Sequence, residues 1–267
     1  MPFEISRFAD GSWKAETDLL SVEEPLLIQL ISGDGNGINS KIDLSVTMRT
    51  PGNDRELALG FLFTEGIIRG MEDVAQVLLK EGNVQVVLRN FESLDLKKLE
   101  RHFYTTSSCG VCGKASIDAV KLACSIVLPA KSWNVSSAVL LGLSESLRQR
   151  QDGFEYSGGI HASGLFDLDG RLLDISEDVG RHNALDKMIG RALERGEVPM
   201  FNRILLLSGR ASFELVQKAS MAGLRMICAI GAPSSLAVEL AEEYHITLVG
   251  FLKSNRFNVY TAPERVV

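Results

Sequence analysis

The fold is decided by residues 204–252, which read ILLLSGRASFELVQKASMAGLRMICAIGAPSSLAVELAEEYHITLVGFL. This stretch holds three apolar runs, at residues 204–207, 225–230 and 246–252, and the two segments between them have helical apolar spacing. Strands that alternate with helices pair in parallel. The stretch therefore predicts a βαβαβ unit within an α/β fold.

The expected ligand edge of this sheet follows from the strand directions. In open parallel sheets, ligands bind beyond the carboxyl ends of the strands. Those ends are followed here by residues 208–210, by residues 231–235, and by the segment after Gly250. We expect these three segments to converge on one edge.

The first third of the chain has a different pattern. Residues 26–31 and 42–48 resemble strands joined by a glycine-rich loop at 33–37, which predicts a hairpin. Asn53 with Glu56 predicts a helix start, and residues 84–88 alternate as a further strand does. This region is expected to form a small α+β domain.

Two domains are expected in 267 residues. The polar segment at 129–134 is typical of a linker, and Ser136 after it can cap a helix. We place an N-terminal α+β domain at 1–130, which includes the Cys109–Cys112 loop, and a larger α/β domain at 131–267.

The charge and composition of the chain limit the kinds of partner that it is expected to bind. The net charge of -6 opposes general attraction to a phosphate backbone, so nucleic acid is not expected as a partner. No apolar run approaches the roughly 18 residues of a membrane helix. The start of the chain also carries Glu4 and Asp10 where a signal peptide is apolar. We expect a cytoplasmic protein that does not bind membranes.

Two of the four cysteines need a chemical explanation. Cys124 and Cys228 lie in apolar patterns that predict core positions. Cys109 and Cys112 instead lie in a segment rich in glycine, serine and threonine, directly before a predicted helix. The first amides of that helix and Lys114 would stabilise a thiolate, which favours reactivity. Such a thiolate can accept sulfur as a persulfide.

Three other roles for this cysteine pair stay open. A redox dithiol has the same spacing, although no thioredoxin-like strand precedes it. A zinc site would need further ligands, for which the candidates are His102, His161 and His182. A purely structural pair would not need the exposed glycines beside it.

A second polar segment runs from Tyr156 to Lys187 and leads into a helix that ends near Gly196. His161 and His182 fit a functional role and a structural role equally well. Asp186 and Lys187 are expected on the solvated face of the helix, since charged residues on helices are usually exposed.

The third polar segment, residues 250–260, follows the last predicted strand. Lys253 and Arg256 can bind phosphates. Phe251, Phe257 and Tyr260 can stack on a ring or pack against the sheet. Its position at a strand end favours ligand contact.

These segments together resemble the FdhD family, the formate dehydrogenase accessory sulfurtransferases. The resemblance runs from the first strands to the last residues of the chain. It is carried by Met48-Arg-Thr-Pro-Gly52, by Glu56-Leu-Ala-Leu-Gly-Phe-Leu-Phe-Thr-Glu-Gly-Ile67, by Ser107-Ser-Cys-Gly-Val-Cys-Gly-Lys114, by Gly158-Gly-Ile-His161, by Glu177-Asp-Val-Gly-Arg-His-Asn-Ala184 and by Pro233-Ser-Ser-Leu-Ala-Val-Glu239.

The resemblance implies a sulfur carrier. Such a protein takes persulfide sulfur from a cysteine desulfurase and delivers it to the molybdenum of bis(molybdopterin guanine dinucleotide), the cofactor of formate dehydrogenase. It implies a homodimer, with Cys109 as the persulfide-bearing residue and Cys112 as a supporting thiol. No tightly bound metal of its own is expected. The cofactor contacts implied are Phe251, Leu252, Lys253, Ser254, Asn255 and Arg256.

The resemblance also implies a cytidine-deaminase-like fold for the larger domain. Deamination is not implied, because zinc deaminases need an H-x-E motif followed by P-C-x-x-C. Here His161-Ala-Ser163 follows the cysteines and lacks the glutamate. Two alternative functions stay open: a cofactor-binding chaperone without catalysis, and a thiol-disulfide oxidoreductase.

Overall fold

A computed structural model describes residues 1–33, 38–91 and 133–267 of the chain. The predicted loop at 33–37 therefore lies largely outside the described residues. Cys109, Cys112, Cys124 and the predicted domain boundary at residue 130 lie outside them entirely.

The N-terminal region forms two sheets and one helix. The strands β1 (Pro2–Ala9) and β2 (Ser12–Leu19) make a separate two-stranded hairpin. A four-stranded sheet has the order β4-β3-β6-β5 and flanks helix α1 (Asp54–Thr64). Its strands are β3 (Glu24–Gly33), β4 (Ile38–Arg49), β5 (Val74–Lys80) and β6 (Asn83–Leu88). The predicted β3–β4 hairpin is confirmed by its antiparallel register.

The C-terminal region is built on a six-stranded sheet of order β12-β11-β10-β9-β7-β8. The strands are β7 (His161–Phe166), β8 (Leu172–Asp178), β9 (Ile204–Leu207), β10 (Met226–Ala229), β11 (Thr247–Lys253) and β12 (Arg256–Thr261). Its helices are α2 (Ser137–Arg148), α3 (Asp152–Ser157), α4 (Arg181–Glu194), α5 (Phe213–Met221) and α6 (Ser235–Glu243). Short 3₁₀ helices lie at Met71–Asp73 and Pro263–Arg265.

The predicted βαβαβ unit is confirmed. Strand β10 pairs in parallel with both β9 and β11, with α5 and α6 as the connecting helices. Helix α2 also begins as expected, because the Ser136 side chain accepts a hydrogen bond from the amide of Ala138.

The segment after Gly250 differs from the expected loop. Strand β11 continues to Lys253, and the chain returns as β12, which pairs antiparallel with it. Phe257 and Val259 point into the core while Arg256, Asn258 and Tyr260 are exposed. This alternation has the period of a half-buried strand. The strand was not predicted because the polar residues of the turn separate it from the apolar run of β11.

The six-stranded sheet has a core on each face. Ile204, Leu206 and Cys228 point toward α2, whereas Leu205 and Leu207 point toward α4 and α5. The core position predicted for Cys228 is confirmed, and burial raises the pKa of its thiol to about 12. That thiol is therefore unreactive at neutral pH.

The second of these cores continues into the N-terminal region. Helix α1 packs against α4, and apolar side chains of β3, β6, α1, α4 and α5 form one cluster. The helices meet at Gly60 and Gly190, where a Cβ atom on either glycine would overlap a backbone carbonyl of the other helix. The α/β architecture is confirmed, while the cytidine-deaminase-like assignment stays a prediction.

In the part of the chain that the structure describes, every helix is too short or too polar to cross a membrane.

Candidate functional site

The carboxyl ends of the three parallel strands are joined by backbone hydrogen bonds. The amide of Gly231 donates to the carbonyl of Gly209 at 2.9 Å, and the amide of Phe251 donates to the carbonyl of Gly231 at 3.0 Å. Ala211 and Pro233 form a further isolated bridge. The predicted convergence of these segments on one edge is confirmed.

A cavity of about 650 Å³ opens at this edge. This volume is within the range of sites that hold a small ligand or cofactor, roughly 300–1,000 Å³. One wall is formed by α2, α3 and the turn after α3, and the other wall by strand ends of the sheet. The lining residues include Ser144, Glu145, Arg148, Phe154, Gly158, Gly159, His161, Ser208, Leu252, Lys253 and Ser254.

The six residues expected to contact a cofactor form the β11–β12 hairpin. Lys253 and Arg256 face each other across its turn, and both are exposed. Leu252, Lys253 and Ser254 line the cavity, whereas Phe251, Asn255 and Arg256 lie outside its lining. Leu252 is buried, so it supports the cavity wall, and Lys253 is the cation that the hairpin supplies to it.

His161 begins β7 and lines the same cavity. The backbone beside it is held by Ser208, whose hydroxyl accepts a hydrogen bond from the amide of Ala162 at 2.8 Å. Burial and, to a smaller extent, the charge of Arg181 lower the pKa of His161, although Asp178 opposes them. A neutral imidazole therefore faces the cavity at neutral pH, and it can both donate and accept a hydrogen bond.

His182 lies in the first turn of α4 and is not part of the cavity lining. Burial, with the positive charges of Lys218 and Arg181, lowers its pKa to about 4. Of the two histidines singled out in the sequence, His161 is thus the one placed to meet a ligand.

The expectation that Asp186 and Lys187 are solvated is wrong. Lys187 is only 1% exposed, and its ammonium lies 2.7 Å from the carboxylate of Asp178, which is fully buried. Lys187 also donates to the carbonyl of Thr50 at 2.8 Å, while the amide of Thr50 donates to Asp178 at 3.1 Å. The charged residues are buried because other elements of the protein pack against α4 on both of its sides.

Asp186 belongs to a second buried pair. Its carboxylate accepts hydrogen bonds from Lys218 at 2.9 Å and from the hydroxyl of Thr64 at 2.8 Å. Lys218 also donates to Glu65 at 3.1 Å. Burial by itself would lower the pKa of Lys218, but Asp186 and Glu65 raise it, so the ammonium stays charged. Both pairs connect the N-terminal region to the six-stranded sheet and its helices.

The cysteines predicted to be catalytic, Cys109 and Cys112, lie outside the described residues. Within residues 1–33, 38–91 and 133–267, no group of three His, Cys, Asp or Glu side chains is placed to hold a metal ion.

Comparison with known proteins assigns the family. The model of the FdhD/NarQ family matches residues 36–267, which is most of the chain. The chain belongs to the FdhD/NarQ family. The family resemblance seen in the sequence motifs is confirmed.

Relatives in the FdhD/NarQ family match over nearly their full length. The sulfur carrier protein FdhD of Streptomyces coelicolor is 44% identical over 98% of this chain and 94% of its own length. FdhD of Sulfolobus acidocaldarius is 43% identical over 98% of this chain and 97% of its own. A formate dehydrogenase accessory protein from Desulfotalea psychrophila has the same fold, with a TM-score of 0.76, 23% identity, and coverage of 100% and 99%.

Five lining residues of the candidate site were not singled out in the sequence: Ser144, Glu145, Arg148, Gln151 and Phe154. Glu145 and Arg148 lie one turn apart on α2, and Phe154 lies on α3. On a helix with an apolar stripe, such charges are indistinguishable from an ordinary solvated face. Their spacing places them on one side of α2, but only the packing of α2 against the sheet directs that side toward the cavity.

Proposed function

We propose that this protein accepts sulfur from a cysteine desulfurase as a persulfide on Cys109. It then delivers the sulfur to the molybdenum of bis(molybdopterin guanine dinucleotide), for use by formate dehydrogenase. The observation that supports cofactor binding most directly is the cavity lined by His161, Lys253 and Ser254 at the carboxyl edge of the sheet. We further propose that the protein works in the cytoplasm as a homodimer.

Sulfur loading is a thiolate exchange. The Cys109 thiolate attacks the terminal sulfur of the desulfurase persulfide, a new S–S bond forms, and the desulfurase cysteine leaves as a thiolate. No net oxidation or reduction occurs. From the sequence alone, the glycines near Cys109 are expected to leave its sulfur accessible, and the predicted helix and Lys114 would favour the thiolate.

Sulfur release as sulfide requires two electrons, and Cys112 can supply them. Its thiolate attacks the inner sulfur of the Cys109 persulfide, so a Cys109–Cys112 disulfide forms and hydrosulfide leaves toward the metal. A dithiol reductant must then restore the pair. In this scheme Cys112 is needed for release and not for loading.

The side chains that line the cavity suit the nucleotide end of the cofactor. Arg148 and Lys253 offer positive charge to phosphates, while Ser144 and Ser254 offer hydroxyl groups. The ring of Phe154, which is 37% exposed, is available for stacking. When bound, the cofactor supplies the metal that receives the sulfur, and the residues of this chain hold and orient its nucleotide.

Persulfide loading is tested by intact-mass analysis after incubation with a cysteine desulfurase and cysteine. Wild-type protein is expected to gain about 32 Da, the mass of one sulfur atom, since the persulfide is a covalent adduct. We expect Cys109→Ala to abolish the gain, Cys112→Ala to retain it, and Cys228→Ala to behave as wild type because that thiol is buried. An unchanged adduct in Cys109→Ala would place the persulfide on another residue and contradict the assignment of Cys109. Absence of the adduct in the wild type would favour a chaperone without sulfur chemistry.

Cofactor binding by the β11–β12 hairpin gives a second prediction. Lys253→Ala should weaken binding of guanosine diphosphate, the nucleotide end of the cofactor, by at least about tenfold, because a charge-assisted hydrogen bond contributes about 1.5–3 kcal/mol. Arg256→Ala should have a smaller effect, since Arg256 lies outside the cavity lining. Isothermal titration calorimetry measures both. Equal affinities for the wild type and Lys253→Ala would place the nucleotide elsewhere.

A further inference from the structure

The wall of the cavity formed by α2 and α3 carries a carboxylate among neutral and basic groups. Glu145 is the one acidic residue among the described residues that line the cavity. It is exposed, so its ionised form is solvated until a ligand enters. An acidic group is unfavourable next to phosphates. Its presence in a cavity with Arg148 and Lys253 therefore points to a part of the ligand that donates hydrogen bonds.

The carboxylate of Glu145 is also oriented. The side-chain amide of Gln149, one turn further along, donates a hydrogen bond to Glu145 Oε1 at 3.0 Å. No other hydrogen bond to this carboxylate comes from the residues that the structure describes, so among them Oε2 and one lone pair of Oε1 are available to a ligand. An ionised carboxylate accepts hydrogen bonds only, and it can accept two parallel ones from a planar donor pair.

We infer that Glu145 selects the nucleobase, and that it selects guanine by accepting hydrogen bonds from N1–H and the 2-amino group. This inference rests on the proposed cofactor site and identifies the residue that would determine its specificity. Adenine presents an unprotonated N1 at the corresponding position, so its lone pair would face the carboxylate oxygens. A site built to accept hydrogen bonds rejects a ligand that lacks the donors.

The surroundings of Glu145 suit a flat ring. Phe154 on α3 lines the same cavity, and a base that stacks on an aromatic side chain gains roughly 1–3 kcal/mol whatever its identity. Gly158 and Gly159 carry no side chain, and no atom of residues 1–33, 38–91 and 133–267 lies within 4 Å of the position of a Cβ on Gly158. The stacking surface thus holds any base, and Glu145 discriminates among them.

The two walls of the cavity are expected to bind different parts of the nucleotide. The hairpin wall contributes Lys253 and Ser254, which suit phosphates, while α2 and α3 contribute Glu145 and Phe154, which suit the base. Loss of Lys253 is expected to weaken all nucleotides together. Loss of the Glu145 charge should change the ratio of the affinities for guanine and adenine nucleotides.

The test compares the full-length wild type with Glu145→Gln by calorimetric titration with guanosine, inosine and adenosine diphosphates. Inosine keeps N1–H but lacks the 2-amino group. The wild type should therefore prefer guanosine over inosine and inosine over adenosine. Glu145→Gln should bind guanosine diphosphate about tenfold more weakly, because one acceptor becomes a donor, and should bind adenosine diphosphate as well as the wild type or better.

The control is Glu242→Gln, a change at an exposed position on α6 outside the cavity, which should leave all three affinities unchanged. If Glu145→Gln keeps the wild-type ratio between guanosine and adenosine diphosphates, Glu145 is not the selecting residue, although the cofactor site stands. If the wild type binds no guanosine diphosphate, the nucleotide site itself is wrong and both proposals about it fail. The persulfide proposal is tested separately by mass.

Discussion

Gly190→Ala is expected to lower the free energy of unfolding by about 2–4 kcal/mol, because overpacking at a site that cannot relax costs at least the usual 1–3 kcal/mol. A Cβ on Gly190 would overlap the carbonyl of Glu56 and come within 2.9 Å of the amide nitrogen of Gly60. These are backbone atoms of α1, so they cannot move aside without separating α1 from α4. The loss should appear even though alanine is the better helix former.

Gly142→Ala is the matched control for this change. Gly142 also lies inside a helix, α2, but no atom of the residues that the structure describes is within 4 Å of the position of its Cβ. There the helix propensity of alanine acts alone and should raise the free energy of unfolding by about 0.5–1 kcal/mol. Urea denaturation followed by circular dichroism measures both variants. Stabilisation by Gly190→Ala would show that α1 and α4 are not in backbone contact.

Lys218→Met is expected to destabilise the protein by about 3–5 kcal/mol at neutral pH, since removal of one partner leaves a buried charge uncompensated. The side chains of Asp186 and Lys218 are 3% and 6% exposed, so water cannot replace the lost ammonium. Glu65, the other partner of Lys218, is 28% exposed and can be solvated instead. The expected loss of stability is therefore due mainly to the buried, unpaired carboxylate of Asp186.

The pH dependence of Lys218→Met follows from Asp186. Burial already raises the pKa of this carboxyl beside Lys218, and without the ammonium the pKa should rise further. The contribution of this carboxyl to stability is therefore present at low pH and lost as pH rises through the raised pKa. The difference in unfolding free energy from the wild type should therefore be smaller at pH 5 than at pH 7. Asp186→Asn added to Lys218→Met should recover part of the loss. The same difference at both pH values would contradict this account.

The exposed Lys80 at the end of β5 provides the control for the lysine change. Lys80→Met should alter the free energy of unfolding by no more than about 0.5 kcal/mol at either pH, as is usual for surface substitutions.

Much of the ligand edge was predictable from local pattern. The alternation of apolar runs and helices in residues 204–252 predicted parallel strands, and the chain direction then placed residues 208–210 and 231–235 at one edge. Strand β12 was missed because the polar turn at Ser254 and Asn255 interrupts the apolar pattern. The separate β1–β2 hairpin was not predicted, although β2 alternates apolar and polar residues from Trp13 to Leu19 as a strand does.

The burial of the charged residues of α4 could not be predicted from the local sequence. Asp186 and Lys187 lie next to each other and have the composition of a solvated helix surface. They are buried because α1 and the segment around Thr50 cover that face of α4, and because Lys218 and Asp178 supply opposite charges. Burial of a charge depends on partners distant in sequence, which no local pattern contains.

By itself, the sequence determined the α/β class, the alternation of strands and helices in residues 204–252, the core position of Cys228 and the family. These features depend on periodicity and on motifs whose residues are close together in the chain. Only the tertiary structure decided which helix faces are covered and that Glu145, Phe154 and His161 share one cavity with Lys253. The reason is physical: periodicity shows which side of an element is apolar, but the packing of distant elements determines what its polar side meets.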